Sequence, residues 1–286
     1  MKMAIGRSMS ILTLAVAGAM LLVLPAAAQQ PEDHFQRSFA ISSGGTLAVD
    51  NYKGLIRVTA TDSSQVVVNV LKKFQGTEKD KTWWMANTDV HFNNSADRVA
   101  VSVEYPGCSC CNCFGGNSHD EYEAFVELTI QVPRKINVEL QGHKPLMNIS
   151  GIDGNIRITS HKSPIEIQST SGAIHIETYK ETVRLKEVSI RGVLDVETAK
   201  AEVSIEAKSL GDRVDLGTEK GTIVLKVPRN AGMTLDYSGG RRSSFRSDLN
   251  IAAETGSSSS VRGTINGGGT QVHLRSEKGS IALETM

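Results

Sequence analysis

Residues 154–176 read GNIRITSHKSPIEIQSTSGAIHI. Within this stretch the apolar pairs Ile156/Ile158, Ile165/Ile167 and Ile174/Ile176 recur at nine-residue steps, each with one polar residue between its members. Such alternation marks a short strand that turns two side chains inward and one outward. The series extends backward through Met147/Ile149 and Val138/Leu140. It extends forward through Val183/Leu185, Leu194/Val196, Val203/Ile205, Val214/Leu216 and Ile223/Leu225, in steps of nine or eleven. Strands this short are not stable alone, so the pattern requires stacking units. Turn residues such as Gly154, Ser163, Gly172, Gly192 and Gly221 precede many of the pairs.

A second echo fixes how the units stack. Residues 142–146 (GHKPL) resemble residues 160–165 (SHKSPI), which places His143 and His161 18 positions apart. Two units per turn put both histidines at one corner of adjacent rungs and every second strand in one sheet. The outward residues then run Glu139, Arg157, His175, Asp195, Asp215 on one face. On the other they run Asn148, Glu166, Arg184, Ser204, Val224. Glu139 beside Arg157, and Glu166 beside Arg184, form favourable cross-strand pairs in this arrangement. The expectation is an all-β fold: a β-solenoid, or parallel β-helix-like stack of short strands. Its alternative is a β-sandwich of short strands, which also turns every few residues.

The flanking sequence fits around this ladder. Lys2 and Arg7, the apolar run 9–24 and the Ala26-Ala27-Ala28 exit have the layout of a signal peptide spanning residues 1–28. The exported domain is then 29–286, with no later apolar run long enough to span a bilayer. Its site is the periplasm, the cell surface or the medium. Strands are expected at 46–49, 54–58, 65–71, 99–103 and 124–132, and one helix at 77–87 with Trp83 and Trp84. Residues 238–260, rich in Ser, Gly and Arg, read as a long loop. Val272/Leu274 and Ile281/Leu283 restore the nine-residue step and close the array. With 31 basic and 31 acidic residues the chain lacks the charge footprint of a nucleic-acid binder.

Several segments resemble a known family, the bacterial putative adhesins, a domain of unknown function built from repeated β-strands. They are LAVDNYKGLIRV at 47–58, the Gly-x-Ile-x-Ile units, Val132-Pro133-Arg134, Val227-Pro228-Arg229 and the ending 263–283. The resemblance implies an exported or envelope protein whose partner is a surface ligand, protein or polysaccharide. It brings no catalytic residues and no cofactor.

The chemistry-bearing residues are few. All four cysteines, Cys108, Cys110, Cys111 and Cys113, fall in a Gly- and Pro-bounded insertion at 106–119. In an exported chain disulfides are the default, with three possible pairings. A thiol site for a soft metal, and with it a metal-binder or sensor function, is the alternative. His143 and His161 could form a weak metal or anion site, but read more simply as polar corner residues. Asp195 and Asp215 could flank a sugar, as in a polysaccharide-active enzyme, but on a repetitive face they read as solvated surface. Gly267-Gly268-Gly269 precedes a strand rather than a helix, so it reads as a turn and not a phosphate loop. The leading expectation is a non-enzymatic binding or adhesion module.

Overall fold

The computed structural model describes residues 34–107, 123–257 and 259–286. The expected signal peptide and all four cysteines lie outside the described residues. The N-terminal part holds β1 (His34–Ala40), β2 (Thr46–Asp50), β3 (Lys53–Thr61), β4 (Gln65–Gln75), α1 (Glu78–Asn87), β5 (Asp89–Asn94), β6 (Arg98–Glu104) and β7 (Glu123–Pro133). The middle holds β8 (Asn137–Gly142), β9 (Lys144–Ser150), β10 (Ile156–Lys162), β11 (Ile165–Gln168), β12 (Ser171–Ser209), β13 (Arg213–Thr218) and β14 (Thr222–Val227). The end holds β15 (Met233–Gly239), β16 (Ser244–Ser247), β17 (Ala252–Ser257), β18 (Ser260–Ile265), β19 (Thr270–Ser276) and β20 (Ser280–Thr285).

The ladder pairs as its spacing dictates, and the fold is a β-solenoid. Ile156 lies between Val138 and Ile174 on one face. Ile165 lies between Met147 and Val183 on the other. All these pairings are parallel, and the long β12 passes through both faces twice. The inward residues Ile156, Ile165, Ile174, Val203 and Ile223 are buried, as their alternation requires. A third, short side adds Ile152, Val188 and Ile190 to the core. With few aromatics, this narrow interior is filled by β-branched and leucine side chains whose stiff rotamers suit pleated strands.

Both ends are threaded out of sequence order. β2 lies between β6 and β8, and β3 lies between β7 and β9. At the other end β19 lies between β13 and β15, and β20 between β14 and β16. The final nine-residue step therefore does not close the array; it fills an interior rung. Antiparallel strands finish the stack instead. β5 pairs with β6 and β1 with β4 at one end, and β17 with β18 at the other.

Two further expectations change. Residues 238–260 are not one long loop, because β16 and β17 lie within them. β16 has no alternating apolar pattern; it is held by pairing with β20 and by Phe245 stacking on Tyr237 at 4.8 Å. The helix forms where expected. Thr77 Oγ1 accepts from the Asp80 amide at 3.2 Å and caps it, while Trp84 and Met85 are buried beneath it. Among the described residues no helix is long and apolar enough to cross a membrane.

Candidate functional site

The corner joining the two faces carries the most chemistry. Register aligns Asp50 with Gln141, and Gln141 with Thr159. Two positions later, the side chains of Tyr52, His143, His161 and Tyr179 form a stacked column. Their ring centroids are 5.0, 4.6 and 4.9 Å apart, with interplanar angles of 9°, 19° and 15°. Tyr105 meets Tyr52 edge-on at 6.3 Å and closes one end. Lys200 closes the other. Its Nζ sits 5.1 Å from the Tyr179 ring centre and donates to the Tyr179 hydroxyl at 3.0 Å. That hydrogen bond, reinforced by the lysine's charge, lowers the Tyr179 pKa.

The column is anchored at its base by a buried polar knot. Asn51 is fully buried in the turn between β2 and β3, where an unpaired amide would be costly. Its Nδ2 donates to the Val126 carbonyl at 2.9 Å, and its Oδ1 accepts from the Tyr105 hydroxyl at 2.7 Å. The same hydroxyl accepts from the Val126 amide at 3.1 Å. Gly54 follows at φ 114, where a side chain would overlap the Val126 carbonyl. The segment 47–58 is thus a structural clamp. It also ties down Tyr105, immediately before the insertion at 106–119.

Two clefts flank the column. One, of about 690 Å³, is lined by Tyr52, Tyr105, His143 and His161 together with Asp50, His91 and Glu104. Burial raises the Asp50 pKa there. The other, of about 550 Å³, lies beside His161 and Tyr179 and is walled by Glu177, Glu197 and Glu219. Because the rings stack on each other, their faces are covered and only their edges look outward. Parallel imidazoles cannot converge their nitrogens on one metal ion, so the His143–His161 pair is poorly shaped for metal. Among the described residues no three His, Cys, Asp or Glu side chains gather as metal ligands would.

The remaining candidates resolve into structure. Asp195 and Asp215 are register neighbours, but each carboxylate is engaged: Asp195 by His175 at 2.9 Å and Asp215 by Arg213 at 2.6 Å. Gly267 and Gly268 adopt φ 82 and φ 87, and the Gly268 amide donates to Ile265, which makes the triplet a turn. Glu139 and Glu166 do face Arg157 and Arg184 in register, yet their ion pairs form elsewhere: Glu139 with Arg98 across the intervening β2 at 2.8 Å, and Glu166 diagonally with Lys186 at 2.9 Å. Tyr179 was readable as the next 18-residue step after His143 and His161. Tyr52 was not, because only the out-of-order threading puts it beside His143.

A family model described as Toastrack DUF4097 matches residues 136–284. Solved structures similar to this chain include a putative cell adhesion protein from Clostridium sporogenes, at 11% identity and a TM-score of 0.38, covering 88% of this chain and 100% of that one. A putative adhesin from Bacteroides fragilis gives 11% identity and a TM-score of 0.37, covering 90% of this chain and 99% of that one. No curated protein matches.

Proposed function

This chain belongs to the Toastrack DUF4097 family, and on that premise we propose that it is an exported, non-enzymatic binding module of the cell envelope or surface. Residues 1–28 act as its signal peptide, and 29–286 form the mature domain with the cysteine-rich insertion at 106–119. One observation supports this reading most. The solenoid holds outward side chains in register from rung to rung, so whole rows of polar groups present themselves along a rigid surface. Glu139, Arg157 and His175 form one such row on adjacent strands. Repetitive displays of this kind suit extended ligands, as the concave surfaces of other solenoids do. The adhesion named for similar structures points the same way.

Sedimentation of purified mature protein with envelope material from the source cell tests the reading. Saturable binding supports it, and its absence overturns it. The intact mass of exported protein should correspond to a start near Gln29; full-length protein beginning at Met1 in a membrane fraction would remove the export half of the proposal.

A further inference from the structure

The register that stacks the rings also stacks the residue after each of them. Lys53 pairs with Lys144, and Lys162 pairs with Lys180. The Lys162 amide donates to the His143 carbonyl and joins the two pairs into one column. Lys200 follows over the Tyr179 ring. Two positions after the register pairs Thr198–Thr218 and Thr218–Ser276, the column continues through Lys220 and Lys278. One lysine per rung therefore runs along this edge without a gap. Six strand spacings of about 4.8 Å make the line roughly 29 Å long.

These lysines differ from others on the surface. Lys73, Lys186, Lys208 and Lys226 each ion-pair with a glutamate. Among the described residues, Lys53, Lys144, Lys162 and Lys180 have no carboxylate partner. The His143 pKa is lowered, first by desolvation and then by the charges of His161, Lys144 and Lys162, as a locally positive edge requires. A chain with zero net charge thus concentrates positive charge without carboxylate partners on the stretch from Lys53 to Lys180, while Glu177, Glu197 and Glu219 flank the line beyond it.

We propose that this edge binds a linear anionic polysaccharide of the polyuronate class, one carboxylate per sugar, laid along the solenoid axis. The inference rests on the binding-module reading and names its ligand class. A pyranose repeat is close to the strand spacing, so the carboxylates on one side of an extended chain, one on every second sugar, meet the lysines of every second rung. Binding a single nucleic-acid strand calls for free aromatic faces on which bases stack. Here the ring faces are covered by one another, so the column offers no such surface.

Calorimetry of the mature protein with polygalacturonate, across a series of NaCl concentrations, tests the proposal. Binding should be saturable and weaken steadily with salt, as release of condensed counterions demands. The triple variant Lys144→Glu, Lys162→Glu, Lys180→Glu should lose binding by about tenfold or more. The matched control Lys186→Glu, Lys208→Glu, Lys226→Glu makes the same charge change elsewhere and should retain it. Circular dichroism and melting of both variants establish that the solenoid is intact. Equal loss in the two variants would reduce the effect to overall charge and overturn the assignment. Tighter binding of single-stranded poly-dT than of polygalacturonate at equal charge would overturn the choice of ligand. Protein that binds envelope material but no polygalacturonate refutes this inference alone; protein that binds neither refutes the binding module as well.

Discussion

Each rung turns two kinds of corner, and they are built from opposite materials. At the first, the bulky side chains of His143, His161 and Tyr179 stack outside the backbone. At the second, Gly154, Gly172 and Gly211 bring backbone against backbone. A Cβ on Gly154 would overlap the Ile136 carbonyl, and one on Gly172 would overlap the Gly154 carbonyl. Asparagines reinforce that corner: Asn137 Oδ1 accepts from the Asn155 amide at 3.0 Å, and Asn155 Oδ1 accepts from the Ala173 amide at 3.2 Å. The glycine corner sets how closely rungs approach, and it has no room for display. The ring corner accepts that spacing and uses it to line up chemistry.

Seven substitutions test this division, and the core beneath both corners sets the ceiling. Ile174→Asp buries an unpaired carboxylate in a narrow interior and should cost about 3–5 kcal/mol in chemical denaturation. Arg184→Asp on the exposed face should cost well under ~1 kcal/mol, so equal shifts would refute the assignment of inward and outward faces. Next comes Gly172→Ala. It combines a backbone overlap with a φ of 148, and should cost about 2–3 kcal/mol. Gly44→Ala is its control, at φ 80 with open space around it; backbone strain alone should cost about 1 kcal/mol. Matching losses would mean that close approach is not what glycine provides at the tight corner.

At the ring corner the effects are smaller. His161→Ala removes two stacked contacts and should cost about 1 kcal/mol, most of it restored by His161→Phe. Failure of phenylalanine to restore stability would show that stacking is not what holds the column. The smallest effect is on pH dependence. The folded state lowers the His143 pKa, so the unfolded chain takes up that proton first as pH falls through about 6.5. The neutral ring's contribution is present above that pH and lost below it. His143→Gln should therefore flatten the decline in melting temperature between neutral and mildly acidic pH. An unchanged profile would mean that neither burial nor the surrounding charges act on the ring.

The ladder was legible because a buried pair repeating every nine residues has one compact solution, and Ile156, Ile165 and Ile174 obey it. The His143–His161 stack followed from the same arithmetic. The ends were not legible. Nothing in the apolar pattern of 46–58 says that it slots between strands that come later in the chain; that choice is made by the buried Asn51 clamp and by Tyr105, which are polar contacts across distant segments. β16 escaped notice for a related reason: an outer strand with one packed ring, Phe245, needs no alternation to be held. The lysine column was present in the spacing as well, since Lys144, Lys162 and Lys180 follow one another at 18-residue steps. Charged residues carry no core signal, and only the register turns their recurrence into a line.

The interior position of β19 and β20 has a consequence for assembly. The last rung in sequence is a middle rung in space, so a chain delivered in order makes a gap before it makes the piece that fills it. Until residues 270–285 arrive, β13 and β14 present open edges, β16 lacks the strand it pairs with, and β15 is paired on one side only, by β18. Such late, long-range pairing slows completion and leaves unpaired strand edges exposed in the meantime. The stack is locked from inside by a keystone, and losing its final strands would not shorten it by one step but split it in two.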